Sequence, residues 1–121
     1  MIIVLLIEDN HDVRENTREL LELEDYSVIT AHNGKAGLSL AKENIPDIIL
    51  CDVLMPEASG FQVIDGLKKD TATAHIPFIF LTASVEKKEV EKAFEMGADG
   101  YIRKPFEAEE LFETMKRCLN S

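Results

Sequence analysis

The sequence predicts a single α/β domain built on a doubly wound parallel sheet. Short runs rich in β-branched residues alternate five times with stretches of helical spacing. Three of the runs contain continuous apolar stretches, at Ile2–Ile7, Ile48–Cys51 and Ile76–Leu81. Such runs are typical of strands buried on both faces, with helices on each side of the sheet. With 121 residues, 45% of them hydrophobic, the chain is long enough for one compact core, so we assign residues 1–121 to one domain.

Five strands are predicted in order along the chain. Their ranges are Ile2–Ile7, Tyr26–Ala31, Asp47–Cys51, Ile76–Leu81 and Tyr101–Arg103. The second run alternates, with Ser27 and Thr30 as polar members, and is therefore predicted to lie at an edge of the sheet. All four prolines fall between elements or at their ends, where a missing backbone N–H is tolerated.

Helices are predicted between and after these strands from apolar residues spaced by three and four. The predicted faces are Val13, Thr17, Leu20 and Leu21; Ala36, Leu40 and Ala41; Val63, Ile64 and Leu67; Val90, Ala93, Phe94 and Gly97; and Leu111, Met115, Cys118 and Leu119. Gly97 is expected to end the fourth helix, since glycine is favoured just beyond a helix C-terminus.

Composition excludes several classes of function. The formal net charge of −10 repels phosphate backbones, which argues against nucleic-acid binding by this chain and favours cations and basic partners. Cys51 and Cys118 are too few for a disulfide framework and form no CxxC motif. The longest apolar run, Met1–Ile7, is far shorter than the ~20 residues of a membrane span and lacks signal-peptide features. We therefore expect a reduced, soluble, cytoplasmic domain without a membrane partner.

Polar side chains follow four of the predicted strands. They are Glu8, Asp9 and Asn10 after the first strand, Asp52 after the third, Thr82 after the fourth and Lys104 after the fifth. In an open α/β sheet these positions share one edge, where ligands bind. Two carboxylates about 4 Å apart repel by roughly 4 kcal/mol at an effective dielectric of ~20, so the site must hold a cation or a proton. Hard oxygen ligands of this kind suit Mg²⁺, and Lys104 and Thr82 can bind an incoming phosphoryl group.

Each of these residues also has an ordinary structural interpretation. Glu8 and Asp9 can complement a helix dipole, Asp52 can be a loop residue, Thr82 can cap a helix, and Lys104 can be a solvated surface charge. The three histidines show no ligand spacing and are expected at the surface, and Cys51 is expected in the core. Four such residues at four strand ends nevertheless favour a functional site.

The motifs at these strand ends resemble those of a known family. They are Val4 to Asn10 (VLLIEDN), Asp47 to Pro56 (DIILCDVLMP), Gly60, Pro77 to Ala83 (PFIFLTA), Gly97 to Tyr101 (GADGY) and Lys104 to Phe106 (KPF). In order and spacing the chain resembles the CheY-like receiver domain of two-component response regulators. The resemblance implies a flavodoxin-like fold with strand order 2-1-3-4-5.

The resemblance also implies roles for individual residues. Asp52 would accept a phosphoryl group from a phosphohistidine. Asp9 and Asp52 would bind Mg²⁺ directly, Glu8 largely through water, and Leu54 through its backbone carbonyl. Lys104 would contact the phosphoryl group, and its bond to Pro105 would be cis. Leu54 and Ser84 occupy positions that influence the lifetime of the phosphoryl group, and Leu54 offers nothing to orient an attacking water.

Thr82 and Tyr101 would be switch residues that change the face formed by the fourth helix, fifth strand and fifth helix. The expected function is a phosphorelay signalling switch, with only self-directed phosphotransfer and autodephosphorylation as enzymatic activity. Its expected partners are a histidine kinase or histidine phosphotransfer protein, an output protein, and a second copy in a phosphorylation-dependent homodimer.

Three alternatives stay open. The chain can be a receiver cut from a larger regulator or hybrid kinase, although the start of the first strand just after Met1 favours a natural N-terminus. A Mg²⁺-dependent aspartyl-phosphate phosphohydrolase would share the nucleophile, but it usually has an acid where Leu54 stands. A flavodoxin-like electron carrier would share the fold, but Glu8, Asp9 and Asp12 would repel a cofactor phosphate.

Overall fold

The computed structural model describes residues 1–84 and 86–120. Five strands form one parallel sheet in the order β2-β1-β3-β4-β5. The strands are β1 (Ile3–Ile7), β2 (Ser27–Ala31), β3 (Ile48–Cys51), β4 (Phe78–Thr82) and β5 (Gly100–Arg103). The predicted fold class and strand order are confirmed, and β2 lies at an edge as its alternating pattern predicted.

Five helices connect and follow the strands. They are α1 (His11–Leu23), α2 (Gly34–Asn44), α3 (Gly60–Lys68), α4 (Lys87–Glu95) and α5 (Ala108–Leu119). Asn10, Asn33 and Ser59 cap the first three, each accepting a hydrogen bond from a backbone N–H of the first turn. Gly97 has φ 103° just beyond the end of α4, which fits its predicted role in ending that helix.

Alternate residues of each strand enter two separate cores. One core contains Leu5, Ile49 and Phe80 and is covered by α2, α3 and α4. The other contains Leu6, Leu50 and Ile79 and is covered by α1 and α5. Burial on both faces explains the continuous apolar stretches of the three central strands. None of the helices in the described part of the chain is long and apolar enough to cross a membrane.

The structure differs from the sequence prediction in two places that matter for the site. Thr82 is the last residue of β4 rather than the first residue after it, because β5 extends the ladder to a Thr82–Arg103 pair. On α4 only Ala93 is buried, whereas Phe94 is 48% exposed, so the predicted apolar stripe of that helix is not a continuous core face.

Candidate functional site

The carboxyl ends of β1 and β3 bring two acidic side chains together. Ile7 pairs with Cys51 in the sheet, so Glu8 and Asp52 follow neighbouring strands at the same level. The Asp52 backbone N–H donates to the Ile7 carbonyl at 3.1 Å, which extends the ladder by one residue and orients Asp52 at the edge. The position of Asp52 is therefore determined by the pairing of two buried strands.

Glu8 and Asp9 complete an acidic cluster around Asp52. Carboxylate oxygens of these three residues all lie within 4.8 Å of one another. Glu8 is only 3% exposed, whereas Asp9 is exposed at the rim. The second Glu8 oxygen, Oε2, accepts the Asn10 N–H at 3.1 Å, which fixes the carboxylate at the start of α1. This set of hard oxygen donors, partly open to solvent, fits Mg²⁺.

Lys104 supplies the positive charge nearest these carboxylates among the described residues. Its Nζ donates to Asp52 Oδ2 at 2.9 Å and also to Glu8 Oε1. The Lys104 side chain is 16% exposed, so its interpretation as a solvated surface charge is wrong. The peptide bond from Lys104 to Pro105 is cis, as the family resemblance implied.

Burial and pairing shift the pKa of Glu8 and that of Lys104. Desolvation raises the pKa of Glu8 above its ordinary value of 4.5, and the hydrogen bonds from Lys104 and Asn10 oppose this only in part. Burial alone would lower the pKa of Lys104, but its hydrogen bonds to Glu8 and Asp52 raise it above 10.5. Lys104 therefore stays charged at neutral pH and offsets part of the carboxylate repulsion.

A chain of hydrogen bonds leads from Thr82 to α4 and β5. The buried Thr82 hydroxyl oxygen accepts the Ser84 N–H at 3.3 Å, and the Ser84 carbonyl accepts the Tyr101 hydroxyl at 3.2 Å. The Ser84 hydroxyl donates to Glu89 on α4 at 3.0 Å. Tyr101 is half-buried, and its ring centroid lies 6.1 Å from that of Phe80, so the ring packs partly against the core.

Other residues singled out in the sequence have defined positions in the structure. Thr82 does not cap a helix, because α4 begins at Lys87 after Glu86. Leu54, two positions after Asp52 in the sequence, is 72% exposed, and Cys51 is buried. The histidines at positions 11, 32 and 75 are exposed.

Sequence reasoning missed a contact between the start of α2 and the loop after β3. Asn33 Nδ2 donates to Glu57 Oε2 at 3.2 Å across 24 positions of sequence. Asn33 followed by Gly34 is a helix-start signal that could have drawn attention to this position. Nothing local to Glu57 indicates its partner.

Comparison with known proteins assigns the chain to one family. The family model described as the response regulator receiver domain matches residues 4–116. This is most of the chain, so the protein belongs to the receiver domain family of two-component signalling. Its fold, its acidic cluster at the carboxyl edge and its paired lysine are consistent with this membership.

Individual relatives come from both short and long proteins. The chain is 39% identical over 116 residues to the polar-differentiation response regulator DivK of Brucella anthropi, covering 96% of this chain and 94% of that protein. It is 37% identical over 118 residues to histidine kinase P4 of Formosa agariphila, covering 98% of this chain but only 8% of the kinase.

Solved structures agree with this classification. The chemotaxis protein CheY4 of Vibrio cholerae superposes with a TM-score of 0.92 at 29% identity, covering 98% of both chains. A receiver domain protein of Clostridium thermocellum has a TM-score of 0.92 at 30% identity, covering 99% of this chain and 95% of that one.

Proposed function

We propose that this chain is a phosphorelay switch whose phosphoryl acceptor is Asp52. The observation that carries the proposal is the arrangement around Asp52: two further carboxylates within 4.8 Å and the Lys104 ammonium at 2.9 Å. A carboxylate oxygen of Asp52 attacks phosphorus in a donor phosphohistidine. A new O–P bond forms while the P–N bond breaks, and the imidazole leaves with the bonding electron pair. The product is an acyl phosphate on Asp52.

The acidic cluster would hold Mg²⁺ through Asp9, Asp52 and the backbone carbonyl of Leu54, with Glu8 acting through water. When bound, Mg²⁺ supplies charge neutralisation for the phosphoryl oxygens. The buried Glu8 holds Lys104 from one side, so the ammonium stays beside Asp52 rather than extending into solvent. The new phosphoryl oxygens are strong acceptors that compete for the Lys104 hydrogens.

The hydrogen bonds of Ser84 suggest how the signal leaves the site. If the Thr82 hydroxyl turns to donate to a phosphoryl oxygen on Asp52, its contact with the Ser84 N–H changes. Ser84 also contacts Tyr101 and Glu89, so both β5 and α4 respond. The face formed by α4, β5 and α5 then changes shape, which is a local electrostatic event acting on a two-state element.

The expected partners follow from this chemistry. A histidine kinase or histidine phosphotransfer protein supplies the phosphoryl group, and the changed α4–β5–α5 face binds an output protein or a second copy of the chain. A groove of about 560 Å³ beside Lys104, between α1 and the segment that carries Pro105 and Phe106, lies where the donor would approach. We expect this exchange in the cytoplasm, with residues 1–121 acting as one receiver domain.

Treatment with acetyl phosphate and Mg²⁺ tests the acceptor. Intact-mass measurement should show one added phosphate on the parent protein and none on Asp52→Asn. Asp12→Asn is a matched control, since Asp12 is a fully solvated carboxylate at the start of α1 and should leave labelling unchanged. Equal labelling of Asp52→Asn and the parent would place the acceptor elsewhere.

A further inference from the structure

The loop between β3 and α3 carries both Asp52 and Leu54, and its backbone is strained. Glu57 has φ 50° and Ala58 has φ 90°, so two consecutive residues with side chains adopt the left-handed region. Such conformations persist only where surrounding contacts hold them. The contacts that hold this loop therefore influence the geometry of the phosphorylation site.

The ends of the loop are fixed within the sheet and α3. The Asp52 N–H donates to the Ile7 carbonyl, and the Gly60 N–H donates to the Val53 carbonyl at 2.8 Å. Neither bond involves the residues from Leu54 to Ala58. This middle part needs a separate anchor.

The N-terminus of α2 provides that anchor. The Glu57 carbonyl accepts the Lys35 N–H at 2.9 Å, and the Glu57 side chain accepts from Asn33 Nδ2. Gly34 packs so closely that a Cβ there would lie 2.1 Å from the Ala58 carbonyl oxygen. Asn33 is buried and also caps α2 through its Oδ1, which accepts the Ala36 N–H at 2.7 Å. One amide side chain thus joins the start of a helix to the strained loop.

We propose that Asn33 and Glu57 are positioning residues for the phosphorylation site. They hold the middle of the loop against α2, and this places the Leu54 backbone carbonyl for the metal bound beside Asp52. The inference rests on the proposed function, because it concerns the Mg²⁺ site. Neither residue touches the acidic cluster in the contacts described above, so their effect passes through the loop backbone.

The test uses substitutions that change the hydrogen bond but preserve the helix cap. Asn33→Ser leaves the net charge unchanged and keeps a side chain that caps helices well, but it removes the amide group that donates to Glu57. The double variant Asn33→Asp with Glu57→Gln exchanges donor and acceptor and keeps the net charge of the parent. The single variant Asn33→Asp places two carboxylates against each other.

Two measurements are made on each variant by NMR. Hydrogen exchange of the Lys35 amide in Mg²⁺-free protein reports whether the loop stays docked on α2. The Mg²⁺ dissociation constant comes from amide shifts during titration with MgCl₂. For Asn33→Ser and Asn33→Asp we expect faster Lys35 exchange and a dissociation constant raised by about fivefold to tenfold, the size of one typical lost hydrogen bond. The double variant should return both values to within about twofold of the parent.

The results separate this inference from the proposed function. Unchanged Lys35 exchange in Asn33→Ser would overturn the anchoring role. Faster exchange with an unchanged Mg²⁺ dissociation constant would overturn the positioning role, as would failure of the double variant to restore affinity. If the parent itself shows no Mg²⁺-dependent shifts near Asp9 and Asp52, the proposed metal site fails, and the positioning role fails with it.

Discussion

Gly60 is the first residue of α3 and lies against the backbone of Asp52, the proposed phosphoryl acceptor. A Cβ at this position would lie 2.2 Å from the Asp52 carbonyl oxygen and 2.8 Å from Phe80 Cε1. The carbonyl lies one residue beyond the end of the buried strand β3, and the Phe80 ring packs against Phe61 and Phe78. Neither neighbour can move without disturbing the site or the core, so Gly60→Ala should move the Asp52 backbone.

We expect Gly60→Ala to lower the free energy of unfolding by about 3 kcal/mol, at the upper end of the usual cost of overpacking. Gly66→Ala on the same helix is the matched control. Its Cβ would lie 3.1 Å from the end of the flexible Leu38 side chain, which can shift. Alanine also gains up to about 1 kcal/mol over glycine inside a helix, so the control should stay within about 1 kcal/mol of the parent.

Urea unfolding followed by circular dichroism measures both variants, and the acetyl phosphate assay measures labelling of Asp52. Gly60→Ala should be less stable than Gly66→Ala and should label more slowly in the folded protein. If the two variants have equal stability, the close approach of α3 to the Asp52 carbonyl does not limit this position, and the reasoning is refuted.

Two further predictions concern the rim of the site. Lys104→Met leaves two mostly buried carboxylates without their cation, so in EDTA its free energy of unfolding should be lower than that of the parent by about 2–3 kcal/mol. Adding MgCl₂ should raise the free energy of unfolding of this variant more than it raises that of the parent. In the same urea titrations, the control Lys35→Met, at an exposed position, should show neither effect. Leu54→Asn should shorten the lifetime of the phosphorylated form severalfold, because an amide at this exposed position can orient an attacking water. The control Leu23→Asn, at another exposed leucine, should leave that lifetime unchanged. Unchanged decay of the phosphate signal in Leu54→Asn would contradict the second prediction.

The sequence alone determined the architecture and the residues that line the carboxyl edge. Continuous apolar runs identified β1, β3 and β4 as central strands, because only burial on both faces removes the need for polar alternation. The parallel arrangement then placed Glu8, Asp52 and Lys104 at one edge, since their strands all end there. These inferences depend on local pattern and on the geometry of a parallel sheet, both of which can be read along the chain.

Only the tertiary structure decided which partners these residues take. Lys104 contacts Glu8 across 96 positions and Asp52 across 52, and Asn33 contacts Glu57 across 24. Hydrogen bonds of this kind depend on how side chains from different loops meet, and no periodic pattern records that. Phe94 is exposed for a related reason: its spacing fits a helix face, but whether that face is covered depends on where α4 lies against the sheet.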